Sequence, residues 1–593
     1  MTLRPDRPPS RLPLADLLAL AALLAWGALA VWRSELVARS LGAYLGCAGC
    51  LRAPALVHEL WLMAALPAAL LLARWSRSRI AAALLALAVG VLVLAVVADV
   101  FVQQLLSRRL MLVDVLRYGG DTGGNWSVLQ PHLATHEGAL LLAVSLLVLL
   151  GTVSAIAAAP AASRRRGAKA WTLALAGMLS TAAFTTPLWY MNRAAFENVI
   201  ATNLPDGMAR PYGEATLQRL RDTPPPPPTC VPGRGERRNV IVLVVESWSL
   251  RHSALFNDGL ADLTPRIDAH ARRGSWYPQF RSNGFSTETG LAALLTGAEP
   301  LSGIRYGTVA LFTDTLHDFH RERRRAGWDV RFITSGDVES TWRREWLRRI
   351  GIDAVEGDAH PFYAGLPRGA FHAADDAALL RRTLQWYDDE RDPAQPFMAT
   401  VLTVGMHPPF VALDGGETGE AAAVRRTDAA VGDFIDGLDA RGFFEDGLLF
   451  VVGDHRVMQP VGADELARFG DDTLVRVPAF ALGASGTPPG PVPGDFQQTD
   501  LLPSLQAMLT QGEACRSALH GELFGPAPAP ARAQVFADPM RYDQVRARVG
   551  GGNFLLVLDG DDSRWVGAAP DPGFDLALEV ARLRVTRDKP PAQ

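Results

Sequence analysis

Glu246, Thr287, Asp454 and His455 lie far apart in the chain, yet each stands where an α/β fold presents chemistry. Glu246 ends the apolar run Asn239-Val-Ile-Val-Leu-Val-Val-Glu246. Asp454 and His455 follow a second run, Leu449-Phe450-Val451-Val452-Gly453. Thr287 lies in Asn283-Gly-Phe-Ser-Thr-Glu-Thr-Gly290, ahead of the apolar stretch Leu291 to Thr296. Two carboxylates, an imidazole and a hydroxyl make an oxygen-rich set with one nitrogen, suited to one divalent cation, Mn²⁺ first, with Zn²⁺ or Mg²⁺ as alternatives. A threonine alcohol is a weak nucleophile at neutral pH, and coordination to such a cation favours its alkoxide. A helix start also favours phosphate through its free N–H groups and dipole. Ser286 or Thr287 acting as a plain N-cap is the competing reading of the same residues.

The elements that must position these residues follow an alternating rhythm. A run apolar on both faces, as at 239–245, reads as a central parallel strand. Behind it come a helix near 262–273, a strand at 276–281, helices at 288–296 and 311–326, and a strand at 328–334. A helix at 374–391, a strand at 397–403, a helix at 424–440, and strands at 446–452 and 477–482 complete the series. This predicts a doubly wound, mostly parallel α/β sheet, with ligands gathering beyond the carboxyl ends of its strands.

The 593 residues divide into two regimes. Residues 1–190 are very apolar and predict an α-helical membrane domain of five spans, at 14–32, 56–74, 80–101, 138–159 and 171–190, each near the length that crosses a bilayer. Arg4, Arg7 and Arg11, then Arg74, Arg77 and Arg79, then Arg164, Arg165, Arg166 and Lys169 mark three cytoplasmic segments by the positive-inside rule, which puts the C-terminal part outside the cytoplasm. The loop 102–137 reads as an ordered connector. Residues 191–235 form a linker with a juxtamembrane helix over 191–222 and a stiff spacer from Pro224 to Pro228. The catalytic part is expected at 236–530, followed by an extension, 531–593, in which Asn553 to Asp559 reads as a strand, an extra sheet edge. A net charge of −4 gives no basic field for nucleic acid. Cys47 with Cys50 and Cys230 with Cys515 are two pairs that an oxidising compartment could bridge, a question of distance rather than sequence.

With these motifs in order, the sequence resembles the lipoteichoic acid synthase-like phosphoglycerol transferases of the alkaline phosphatase/sulfatase superfamily. The five-span layout and nearly all of 236–510 carry the resemblance. It implies that Glu246, Thr287, Asp454 and His455 bind the metal and that Thr287 is the catalytic nucleophile. Ser340-Thr341-Trp342-Arg343-Arg344 resembles the family's Trp-x-Arg element, and Thr403-Val404-Gly405-Met406-His407-Pro408-Pro409-Phe410 its His-x-Pro-Phe segment. Trp342, Arg344 and His407 are thereby expected to contact substrate. Asp428 to Phe434 and Gln498-Thr499-Asp500-Leu501-Leu502-Pro503 fit its later helices.

The implied activity is transfer of a phosphoglycerol or related head group from a phospholipid donor, phosphatidylglycerol favoured, to a glycan or lipid acceptor of the bacterial envelope. The protein would sit in the cytoplasmic (inner) membrane with its catalytic domain periplasmic. Phosphoethanolamine transfer, phosphodiester hydrolysis and a non-catalytic lipid-binding regulator are the alternatives. Ser286 replaces a residue that is often basic, and Arg456 follows the Asp-His pair where Gly or Tyr is commoner; Arg456 would add a phosphate contact or mark a different substrate. Cys230-Val-Pro-Gly-Arg234 matches the motif that sulfatases convert to formylglycine, but it precedes the first core strand instead of following it. His270, His317, His320, His360 and His372 have no ligand spacing and read as surface or packed histidines.

Overall fold

The computed structural model describes residues 13–45, 48–106, 110, 115, 122–161, 167–181, 198–203, 212–301, 319–339, 343–408, 410–537 and 543–587. The chain forms two compact units. One comprises Met1–Met111, His132–Leu204 and Gln459–Ala463; the other comprises Leu112–Pro131, Pro205–Met458 and Asp464–Gln593.

In the first unit, four helical stretches among the described residues are long and apolar enough to cross a membrane: Leu14–Arg39, Arg52–Ser76, Arg79–Leu105 and His136–Ala161. They correspond to the first four expected spans. The fifth, 171–190, is represented by the helix Ala168–Ser180, and residues 182–190 lie outside the described set. Among the described residues, the bundle buries charge in partnership. Arg33 meets Glu59 at 3.0 Å and Asp99 at 3.7 Å, and Asp16 receives Arg74 and, at 2.7 Å, the Trp171 indole N–H. Unpaired charges in an apolar bundle would be costly, which accounts for the pairing.

The second unit is organised by an eight-stranded sheet. Its strands are β1 (Val240–Val245), β2 (Ser275–Trp276), β3 (Asp329–Thr334), β4 (Ala354–Glu356), β5 (Phe397–Leu402), β6 (Leu448–Gly453), β7 (Ala479–Gly483) and β8 (Gly490–Pro491), in the spatial order β8-β2-β7-β6-β1-β5-β3-β4. β1 lies between β5 and β6, parallel to both, so Val240 is level with Met398 and Leu448. Only β7 runs against its neighbours, antiparallel to β6 and β2. The expected strand 276–281 splits at Pro278, which lacks the N–H a ladder requires. β2 keeps the first half, and Phe280–Arg281 pairs instead with Phe496–Gln497 in a separate ribbon.

Period-two side chains divide the core into two layers. Val240, Val242 and Val244 pack with Leu291, Leu294 and Leu295 of α1 (Thr287–Thr296). Ile241, Leu243 and Val245 pack with Leu379 and Leu380 of α3 (Asp376–Gln385) and with Val424, Ile435 and Leu438 of α4 (Glu420–Asp439). A short α2 (Arg343–Arg349) adds Trp346 and Leu347 to the first layer. Of the expected helix 311–326, Phe319–Arg325 is described.

The extension does not lengthen the central sheet. Gln534–Ala537, Gln544–Val549, Gly552–Val557 and Arg564–Trp565 form their own antiparallel sheet, backed by the helix Leu576–Arg587. It also clasps the linker. The Asp561 carboxylate accepts from the Gly213 and Thr216 N–H groups, both at 3.0 Å, capping the helix Glu214–Asp222, and Arg582 donates to the Leu220 and Thr223 carbonyls. Of the expected helix over 191–222, the described parts are Val199–Thr202 and this piece. Cys230 and Cys515 are disulfide-bonded across paired strands, so the Cys-x-Pro-x-Arg thiol is already committed. Cys47 lies outside the described residues, and with it the question of Cys47–Cys50.

Candidate active site

Glu246, Thr287, Asp454 and His455 converge beyond the carboxyl ends of β1 and β6. Ser286 takes the N-cap of α1, in a capping box with Thr289, which leaves Thr287 as the first helical residue. The Thr287 hydroxyl donates to Glu246 Oε2 at 2.9 Å and lies 3.5 Å from His455 Nε2. His455 Nε2 is 3.6 Å from Glu246 and 3.4 Å from Asp454. α1 comes this close because Gly290 has no side chain: a Cβ there would stand 2.3 Å from the Asp454 carbonyl oxygen.

The loops are held by their backbones. The Ser247 and His455 N–H groups donate to Asp454 Oδ1 at 2.7 and 2.8 Å, and the Ser247 hydroxyl donates to Glu246 Oε1 at 2.8 Å. Ser247 takes a left-handed φ of 56° to do so, a strained backbone of the sort found at functional sites. The Gln498 amide holds the Gly453 and Asp454 carbonyls, giving the Gln498-Thr499-Asp500 stretch a physical role. His455 Nδ1 is engaged by the Arg456 carbonyl at 2.8 Å, so in the neutral ring Nε2 carries the lone pair that faces the carboxylates.

The electrostatics are unbalanced. Burial, then the neighbouring Glu246, pushes the Asp454 carboxyl well above the usual carboxylate range. Burial also works against the Glu246 carboxylate, but the neighbouring imidazoles of His455 and His407 and the Ser247 hydroxyl hold it below its ordinary value. Asp454 Oδ2 is buried with no hydrogen-bond partner, and one ligand atom from each of Glu246, Asp454 and His455 falls within 4.8 Å of the others. An orphaned buried oxygen inside a compact carboxylate–imidazole set fits a divalent cation.

His407 sits in the segment after β5. Thr403 of that segment accepts the Glu246 N–H at 2.9 Å, and Asp376 accepts from Val404 and Gly405 at 3.0 and 2.9 Å. The Phe371 ring meets His407 edge-on at 4.7 Å, from a backbone with φ of 52°. Burial above all lowers the His407 pKa, so the ring is neutral near pH 7. Trp342 lies outside the described residues. Arg344 is bound to Glu339 and to the Val355 carbonyl, and Arg343 instead reaches Glu288, beside Thr287. Arg456 is taken up by Glu465 in a bidentate pair at 3.0 and 2.8 Å, so its guanidinium is already committed to a carboxylate. His320 is packed, with Nε2 2.7 Å from the Leu295 carbonyl and its pKa pushed down to about 4 by burial.

Sequence reasoning missed Ser247, Phe371 and Asp376, what Gln498 holds within its matching stretch, and the pairing of Glu288 with Arg343. Each acts through a contact that only the folded chain creates.

Residues 238–510 match the family described as sulfatase. Among solved structures, an alkaline phosphatase superfamily protein from Vibrio parahaemolyticus aligns at 17% identity and TM-score 0.46, covering 65% of this chain and 97% of its own. The lipoteichoic acid synthase LtaP from Listeria monocytogenes aligns at 17% and 0.45, covering 60% and 93%. The lipooligosaccharide phosphoethanolamine transferase EptA from Neisseria meningitidis, an integral membrane protein, aligns at 15% and 0.49, covering 82% and 95%. No curated protein matches the sequence. The sulfatase family match spans Glu246, Thr287 and Gly453-Asp454-His455, the residues that carry the resemblance read from the sequence.

Proposed function

We propose that this protein is a membrane-anchored, metal-dependent phosphotransferase that moves a phosphoglycerol group from a phospholipid to an envelope acceptor through a phospho-threonine at Thr287. The observation that carries the reading is the Thr287 hydroxyl at the first position of α1, 2.9 Å from Glu246 and 3.5 Å from His455. Glu246, Asp454 and His455, with Thr287, would hold the cation, Mn²⁺ favoured. When bound, it would supply positive charge that offsets the carboxylates and the phosphoryl oxygens.

The chain's own residues do the rest. Glu246 takes the hydroxyl proton as Thr287 Oγ1 bonds to phosphorus, the bond from phosphorus to the diacylglycerol oxygen breaks, and that proton leaves on the diacylglycerol hydroxyl. The dipole of α1 favours the phosphoryl group at the helix start. The neutral ring of His407, held by Phe371 and the Asp376-fastened segment, contacts the phosphate. An acceptor hydroxyl then bonds to phosphorus as the Thr287 Oγ1–phosphorus bond breaks, and the acceptor's proton returns to Thr287. The helical unit keeps the lipid donor close, so the reaction gains from proximity. The arginine pattern and the Cys230–Cys515 disulfide support a catalytic domain outside the cytoplasm.

Mass spectrometry tests this reading. Wild-type protein exposed to phosphatidylglycerol vesicles with Mn²⁺ should gain a phosphoglyceryl mass on Thr287, and Thr287→Ala should gain none. An adduct from phosphatidylethanolamine instead would change the donor, and free head group released without acceptor would mean hydrolysis. Absence of any adduct or turnover would end the proposal.

A further inference from the structure

Glu288, the residue after Thr287, is 3% exposed. A buried carboxylate here is a liability, because its charge opposes an incoming phosphodiester, and more so as charge builds in the transition state. The fold answers it from one short helix. Arg343 of α2 donates to Glu288 Oε1 through Nε at 3.1 Å and Nη2 at 2.5 Å, and the Trp346 indole donates to Oε2 at 3.1 Å. The guanidinium is itself mostly buried, at 12% side-chain exposure, so solvent does little to screen the pair. The neighbouring Arg344 is spent on Glu339 and a carbonyl of β4.

We propose that Glu288 and Arg343 are a positioning pair for the reaction at Thr287: Arg343 cancels the carboxylate beside the nucleophile and ties α2 to the first turn of α1. The proposal rests on the phosphotransfer reading above. Three bonds converging on one carboxylate would fix the geometry of both helices as well as their charge. Removing Arg343 leaves a buried negative charge next to the phosphate site, whereas removing both charges leaves the site neutral. The two substitutions therefore cannot be additive.

The test uses the full-length protein in detergent with Mn²⁺, measuring bis(p-nitrophenyl) phosphate turnover, inorganic phosphate affinity and thermal midpoint. Arg343→Ala should lower kcat/KM and phosphate affinity by about 10-fold or more, Arg343→Lys by less than about 5-fold, and Glu288→Gln/Arg343→Ala should recover to within about 5-fold of wild type. A merely structural pair would lower the thermal midpoint in all three and leave kcat/KM of the folded fraction unchanged, which would overturn the proposal, as would a double variant no better than Arg343→Ala. Should Arg343→Ala fail to accumulate, the double variant decides: turnover near wild type supports the pair, and a loss of 10-fold or more sinks it. Phosphate affinity keeps the two readings separable, since wild-type protein that binds phosphate without forming a Thr287 adduct defeats the transfer reading while the variants still report on the pair.

Discussion

Arg281, Arg548, Asp472 and Asp495 form a closed square of ion pairs, whereas Glu246, Asp454 and His455 set two buried carboxylates against one imidazole. In the square, Arg281 meets Asp472 at 2.8 Å and Asp495 at 2.7 Å, and Arg548 of the C-terminal sheet meets the same two at 3.7 and 2.9 Å. Every charge has its opposite, and Asp495, despite its burial, is held below its ordinary pKa, chiefly by Arg281. In the site, Asp454 is driven the other way and one of its oxygens has no partner. Both clusters cost desolvation. The square recovers it internally and serves architecture, fastening the extension to the sulfatase-like domain. The site leaves it unrecovered, which is what the proposed cation and phosphate would call for.

The comparison breaks most directly at Thr287. Thr287→Ala should lower turnover by roughly 10³-fold or more with the thermal midpoint nearly unchanged; retention of full activity would remove the hydroxyl from the chemistry. Arg281→Met should do the reverse. It strands Asp472 and Asp495 with a single arginine and should cost about 3 kcal/mol of stability, read by denaturant unfolding, with kcat of the folded protein preserved.

Asp454→Asn sharpens the contrast through pH. A carboxyl raised in the native state binds its proton more tightly there than when unfolded, so its contribution to stability falls as pH rises from the unfolded value near ~4 toward the raised native one. Glu246 is lowered, and its contribution is lost only as pH falls below the ordinary glutamate range. In EDTA, Asp454→Asn should therefore be more stable than wild type at pH 8, with the gap narrowing toward pH 5. Added Mn²⁺ should raise the wild-type midpoint and leave the variant's nearly where it was. A gap independent of pH would contradict the assignment. The smallest effect is expected at Phe371. Phe371→Gly relieves a left-handed backbone but removes the ring beside His407, so stability should stay within about 1 kcal/mol while KM for the diester rises about 5-fold.

Much of this was legible before folding. The all-apolar run 240–245 could only be a central strand, because both its faces need cover, and its carboxylate had to emerge at the strand's end. Gly453-Asp454-His455 and the helix after Thr287 were equally plain. Their order in the sequence carried the resemblance that the sulfatase family match spans. The break at Pro278 is a local signal as well, one residue without an N–H among flanking β-formers. That Arg343 rather than Arg344 meets Glu288 was not open to local reading. Adjacent arginines at a helix start project in different directions, and which one reaches Glu288 depends on the angle at which α2 meets α1.

What the sequence determined by itself was the set of local commitments: apolar helices, a parallel core strand, a capped helix carrying a hydroxyl, and carboxylates at strand ends. These follow from side-chain periodicity and backbone propensity, which act over a few residues. Only the tertiary structure decided that Ser286 rather than Thr287 caps the helix, that Cys230 bonds Cys515, that Arg456 is spent on Glu465, and that Asp454 keeps an oxygen without a partner. Each depends on distances between segments brought together by burial, and no periodicity encodes those distances.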